Sequence, residues 1–287
     1  MALSKLSGDE HGILFVQLCN VLDPGIAVAL SSVSNELRAA TRVPLQQLKT
    51  DHEAAAALCC KLGHRNCKAL REAKMVDWYK KGLTADELKL LGTLGSVLPA
   101  LEELYLWEPA AGPDGGRQLA EGLGAGALPA VTVLLIADMH VGDAGASALA
   151  AALGQGALPR LKTLYLDHAA IGDAGLVALA PALRRRPALE SLSLLDSPIG
   201  DEGLAALVAP PPPAGAPTTT TGGLTKLKFL NLELTQITDA GCATLAAALD
   251  SGALPALEQL FLDDIPASAA AKAAVREAAK PRAAVFW

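Results

Sequence analysis

The sequence predicts an α/β solenoid of strand–helix repeats behind a small all-helical N-terminal segment. Three observations predict it. A Leu-x-x-Leu-x-Leu pattern returns every 28 to 38 residues from residue 73 onward. Apolar residues make up 51% of the chain and aromatics only 3%, with Leu and Ala dominant, which suits helices and repetitive packing better than a β-sandwich. Residues 1–72 have helical apolar spacing and contain no copy of the repeat.

The first anchors of the pattern are Ala73, Leu101, Val131, Leu161, Leu189, Leu227 and Leu257. The second are Val76, Leu104, Leu134, Leu164, Leu192, Leu230 and Leu260; the third are Trp78, Leu106, Ile136, Leu166, Leu194, Leu232 and Leu262. Every one is apolar. Alternation over these positions predicts a short strand with the anchors inward. Later in each unit, a second apolar position (Leu91, Leu119, Leu149, Leu179, Leu207, Leu245 or Val275) marks the inner face of a helix. Self-similarity at this period is the signature of a solenoid.

These residues resemble the leucine-rich repeat family, in its ribonuclease-inhibitor-like subtype. The resemblance implies a right-handed α/β horseshoe arc with strands on the concave side and helices on the convex side. The family's Asn or Cys, three residues past the third anchor, is replaced here by Lys81, Pro109, Met139, Ala169, Ser197, Thr235 and Ile265. Only Ser197 and Thr235 have a side chain to substitute for it, so the turns must be satisfied otherwise.

A glycine turn opens the helix of four repeats: GDAG at 142–145 and 172–175, GDEG at 200–203 and TDAG at 238–241. Strand, glycine turn and helix N-terminus together are the elements of a phosphate-binding loop. Here the motif recurs once per repeat and no Lys-Ser/Thr follows, so it reads as structural punctuation. Its Asp falls in the first helical turn, where it complements the dipole, and Thr238 is placed as an N-cap. The 38-residue interval is lengthened by PPPPAGAPTTTTGG at 210–223, an extended, flexible stretch that reads as a tolerated loop insertion. The Ala-rich helix to Lys280 and the apolar end of the chain read as a C-terminal cap.

Residues 1–43 resemble an F-box, the three-helix motif that binds the Skp-type adaptor of SCF ubiquitin ligases. Leu6, Ile13, Leu14, Leu18, Leu22 and Pro24 carry the match, with Asp9-Glu10, Ala29-Leu30 and Val33; Ser7 and Leu37 stand where the family has Pro and Trp. The resemblance implies adaptor binding through those six residues. The bare residue pattern equally fits a helical cap over the first repeat. Residues 44–72 read as helices bridging to the repeats, with Leu45, Leu48, Ala55, Leu58 and Leu62 on one face.

Net charge of −6 argues against a general nucleic-acid binder. No apolar run approaches the ~20 residues of a membrane span. The N-terminal residues lack the pattern of a secretory signal, and the five cysteines form no disulfide framework, so a cytoplasmic or nuclear protein is expected. Cys59, Cys60, His64 and Cys67 include zinc-ligand types, but their spacing matches no common zinc site and no metal is assigned. No nucleophile elbow, zinc-protease motif or isolated carboxylate pair appears, so neither catalytic residue nor cofactor is expected.

Function is then expected on the concave face. Tyr79, Tyr105, Trp107, Tyr165, Phe229 and Phe261 fall on the side of the strands opposite the anchors, alongside Asp167, Glu233 and Asp263. An acidic edge (Glu108, Asp138, Asp167, Asp196, Glu233, Asp263, Asp264) follows the strands. Aromatics beside carboxylates point to a protein-recognition surface for a basic or mixed-charge partner. The leading reading is a non-catalytic substrate receptor of an SCF-type ubiquitin ligase. A stand-alone interaction protein with a capped N-terminus and a regulator of an enzyme or small GTPase are the alternatives.

Overall fold

The inward anchors dictate how the repeats stack. The computed structural model describes residues 20–112, 114–209, 223–282 and 285–286. The chain forms two compact units, one of residues 1–73 with 97–100, the other of 74–96 with 101–287. Among the described residues no helix is long and apolar enough to cross a membrane.

The second unit is an all-parallel sheet whose eight strands lie in sequence order, with a helix between consecutive strands. The strands are β1 (Met75–Tyr79), β2 (Glu103–Trp107), β3 (Val133–Ala137), β4 (Thr163–Asp167), β5 (Ser191–Ser193), β6 (Phe229–Asn231), β7 (Gln259–Phe261) and β8 (Val285–Phe286). Equivalent anchors pair across every interface from β1 to β7, as Leu164 pairs with Leu192 and Leu192 with Leu230. The β5–β6 register is kept although the insertion lies between these strands; residues 210–222 of that insertion fall outside the described residues. Of the predicted anchors only Ala73 escapes burial. The end of the chain does more than cap, since β8 extends the sheet beside β7.

The intervening helices of this unit are α4 (Ala85–Leu94), α5 (Gly115–Gly122), α6 (Gly142–Gly154), α7 (Asp173–Arg184), α8 (Asp201–Val208), α9 (Asp239–Asp250) and α10 (Ala269–Ala279). Their predicted inner residues, from Leu91 to Val275, are all buried. Earlier in the chain, the first unit holds α1 (Gly25–Ser32), α2 (Asn35–Lys61) and α3 (Cys67–Glu72). Pro24 directly precedes α1, a position where its missing N–H is no loss. Ser34 and Asn66 cap α2 and α3 with side-chain oxygens. A single helix, α2, runs unbroken through residues 43 and 44, with Pro44 inside it. Ala27 and Leu48 are buried together, with Val21 and Leu45 packed against them.

The glycine turns are more than punctuation. Helices α7 and α8 begin at Gly172 and Gly200, which have no side chain to cap them. The Asp of the preceding repeat does it instead. Asp143 Oδ1 accepts the amide hydrogens of Gly172 (2.7 Å) and Gly175 (2.9 Å), and Asp173 Oδ1 accepts those of Gly200 (2.7 Å) and Gly203 (2.8 Å). Asp201 and Asp239 continue the series onto the amide and hydroxyl of Thr238 and Ser268. Each carboxylate thus satisfies donors that a helix N-terminus leaves unpaired. It also explains the second glycine: a Cβ on Gly203 would lie 2.7 Å from Asp173 Oδ1.

At the opposite helix ends, Arg186 lies half-buried. Its guanidinium donates to the carbonyls of Leu153, Ala157 and Leu158 in the preceding repeat, and burial lowers its pKa. Arg282 makes the same set of bonds to Leu249, Ala253 and Leu254.

The turns past the strands are closed by backbone. The amides of Lys80, Asp138, His168, Asp196 and Leu234 donate to Trp107, Asp167, Leu195, Glu233 and Asp263 of the next repeat. Thr235 bonds the Leu232 carbonyl at 2.7 Å, whereas Ser197 Oγ finds no partner among the described residues. So of the two expected substitutes for the family's Asn, one acts.

The caps predict a coupled loss. Asp173→Ala should lower stability by about 1–2 kcal/mol in chemical denaturation. Gly203→Ala should destabilise by about 1–3 kcal/mol through the clash. In the double variant the two losses should fall short of additivity, because removing the carboxylate makes room for the methyl.

Candidate protein-recognition surface

The side of the sheet away from the anchors is open, and it carries the predicted aromatics in two groups. At one end, Tyr79 on β1 and Trp107 on β2 meet edge to face with centroids 5.2 Å apart; both are exposed, at 50% and 36%. Lys80 Nζ lies 5.0 Å from the Tyr79 ring centroid. At the other end, Tyr165, Phe229 and Phe261 on β4, β6 and β7 form a ledge, with successive centroids 5.9 and 5.2 Å apart. Tyr165 and Phe229 meet across β5 because that strand presents only Ser191 and Ser193 on this side. Between the two groups lie the aliphatic side chains of β3, Val133 and Leu135.

Tyr105 stands apart from both ring pairs. Its hydroxyl donates to Glu103 Oε2 at 2.9 Å, and that bond, with burial second, raises the phenol's pKa. Asp167 accepts from Ser193 Oγ at 2.5 Å, yet burial outweighs this bond and pushes the carboxyl above its ordinary range. Burial and the nearby Asp167 likewise raise Tyr165. Glu233 is held by Asn231, whose side-chain amide donates to Oε2 at 3.1 Å while its oxygen accepts the Glu233 N–H at 2.9 Å. Asp263 is exposed. Ser193, Asn231 and Glu103, which the sequence analysis does not single out, thus hold functional-face side chains in place; alternation along the strands is the signal that puts them on this side.

The acidic edge is not one surface. Glu108 is buried at 1% exposure, and a short 3₁₀ turn, Pro109–Ala111, follows it. Elsewhere the equivalent residue turns left-handed: Asp138, His168, Asp196 and Asp264 have φ of 54°, 51°, 49° and 53°. Lys80 and Leu234 take the same conformation at the equivalent position (49° and 56°), so the backbone sets the turn and Asp and His are residue types that tolerate it. His168 Nδ1 sits 2.8 Å from Asp196 Oδ2.

In the N-terminal unit, Leu6, Ile13, Leu14 and Leu18 lie outside the described residues. Leu22 is buried at 4% and lines a cavity of about 420 Å³ with Asp23, Lys68 and Arg71, so its side chain is turned away from solvent. Ile26, Val28, Val33 and Val43 are exposed instead. Cys59 and Cys67 approach to 3.7 Å, both buried, whereas Cys60 is exposed; burial pushes Cys59 up to about 12. Among the described residues no group of three or more His, Cys, Asp or Glu is placed to hold a metal ion.

With this geometry in hand, a family model described as a leucine rich repeat matches residues 158–180, 187–208 and 223–246. These three segments are leucine-rich repeats. The matched segments contain β4, β5, β6, α8 and most of α7 and α9, and the neighbouring strands share their register. No curated protein matches the chain. Among solved structures it is similar to the crystal structure of InlP from Listeria monocytogenes, with 14% identity and a TM-score of 0.34. That alignment covers 74% of this chain and 56% of the other.

Asp167 yields a pH prediction. Its folded-state pKa lies above the unfolded one, so its contribution to stability is greatest below the unfolded value and is lost as pH rises through the folded one. Asp167→Asn should therefore be more stable than the parent at pH 7, with the advantage shrinking as pH falls toward 3. Thermal melts of both proteins across that range check it.

Proposed function

We propose that this chain is a non-catalytic scaffold whose open sheet face binds a basic or mixed-charge protein. One observation carries the reading. The outward strand positions of the seven repeats hold six aromatics and five carboxylates (Asp77, Glu103, Asp167, Glu233, Asp263), with no lysine, arginine or histidine. Leucine-rich repeats generally mediate protein–protein interaction, and exposed Tyr and Trp are the side chains that dominate binding hot spots. Such a charge pattern steers a cationic partner and makes binding weaken with salt.

The finer reading is a substrate receptor of an SCF-type ubiquitin ligase, with the N-terminal unit docking a Skp-type adaptor. It is supported by the F-box-like sequence, by the helix that starts after Pro24, and by Ile26, Val28 and Val33, whose exposed aliphatic side chains offer an apolar contact. The role of Leu22 in this reading is internal packing, given its burial.

Two measurements test the proposal. Co-expression with a Skp-type adaptor should give a complex on size-exclusion chromatography that is lost when Ile26 and Val33 are both changed to Glu; a folded chain that never co-elutes overturns the ligase reading. Against any protein partner recovered through the repeats, Tyr105→Ala with Trp107→Ala should weaken binding at least tenfold, on the order of 2 kcal/mol or more. Unchanged affinity would move the site off the sheet face.

A further inference from the structure

We propose that the ledge formed by Tyr165, Phe229 and Phe261, edged by Asp167 and Glu233, seats an arginine side chain from the partner. The inference rests on the sheet-face reading above and gives it a location and a chemistry. Three rings in succession, at 5.9 and 5.2 Å, make a continuous π surface whose electron-rich faces attract a cation. The ledge is continuous because β5 contributes only small serines beneath it, and Ser193 is itself buried.

Charge is arranged for a guest. Asp167 ends β4 two residues past Tyr165, and Glu233 lies two residues beyond the end of β6, so the two carboxylates stand on either side of the β5 repeat. Strand spacing puts their backbones roughly 10 Å apart. Their present partners are neutral: Ser193 donates to Asp167 and Asn231 to Glu233. Among the described residues no lysine or arginine forms an ion pair with either acid. A cation arriving between them meets two carboxylates with which no lysine or arginine pairs among the described residues, one of them partly desolvated and with only the neighbouring His168 imidazole acting on its charge.

The planar guanidinium fits better than an ammonium. It stacks on an aromatic face while its edge donates to carboxylates, is more weakly hydrated, and spreads its donors over a wider fork. The other aromatic pair, Tyr79 and Trp107, already has the chain's own Lys80 against the tyrosine, which distinguishes it from the ledge.

The test uses fluorescein-labelled nona-arginine and nona-lysine as probes, read by fluorescence anisotropy on the full chain at low salt. Nona-arginine should bind more tightly than nona-lysine. Asp167→Asn with Glu233→Gln should weaken nona-arginine about tenfold. The charge-matched change Glu202→Gln with Asp250→Asn, on helices α8 and α9, should shift it less than about threefold. Phe229→Leu, which keeps an apolar side chain and removes the π face, should erase the preference for arginine over lysine. An equal or larger loss from Asp77→Asn with Glu103→Gln would overturn the seat and leave the sheet-face reading standing. So would the absence of probe binding alongside partner binding that remains sensitive to Tyr105→Ala with Trp107→Ala. Loss of both sensitivities would overturn the sheet-face reading as well.

Discussion

A carboxylate from one repeat capping the helix of the next is the constraint on which the rest of the solenoid depends. Strand pairing fixes where consecutive repeats touch along the sheet, but it leaves the helices free to splay. Asp143 and Asp173 close that freedom by bonding the first and fourth amides of the following helix turn, where helices begin at glycine. Asp201 and Asp239 do the same work on Thr238 and Ser268. At the far ends, Arg186 and Arg282 gather carbonyls from the preceding repeat. In these repeats charged side chains act across the interface, at the ends where a helix exposes unpaired donors or acceptors.

The strands keep a common register from β1 to β7, and their outward side chains fall in rows. Those rows decide what the surface can do. Small serines on β5 allow rings from β4 and β6 to meet above them, and the aliphatic β3 separates this ledge from the Tyr79–Trp107 pair. Backbone bonds carry the pairing past β1, β3, β4, β5 and β6, where Lys80, Asp138, His168, Asp196 and Leu234 turn left-handed and lead the chain away. Several acids near the sheet therefore answer to turn geometry, while Asp167 and Glu233 remain on the open face. Burial raises the pKa of Asp167, so its charged form costs stability at neutral pH, a cost that the proposed cationic partner would offset.

The repeats were legible because apolar period and strand alternation are local properties. Leu104, Leu134 and Leu164 announce their burial by spacing alone. Ala73 did not follow, because a small residue satisfies the pattern without requiring burial. The role of Asp143 was illegible for a different reason: its partners lie 29 and 32 residues onward and are backbone amides, which any residue type supplies. Glu108 looks like its neighbours in sequence, yet its chain enters a 3₁₀ turn where they turn left-handed, and its side chain points inward. The aromatics could be assigned to a face from parity, but their division into a pair and a ledge depends on what stands on the strands between them. Arg186 closes a run of three arginines, and only the stacking of helices shows the carbonyls that it meets.

Amide hydrogen exchange at Gly175 and Gly203, followed by NMR in the full chain, tests the central claim most directly. Both amides sit in the first turn of a helix, where no intrahelical acceptor exists. If the carboxylates of Asp143 and Asp173 hold the stack together, these amides will exchange as slowly as those of the sheet, and Asp173→Ala will release Gly203 while leaving Gly175 protected. Exchange at the rate of open loop amides in the parent protein would contradict the account.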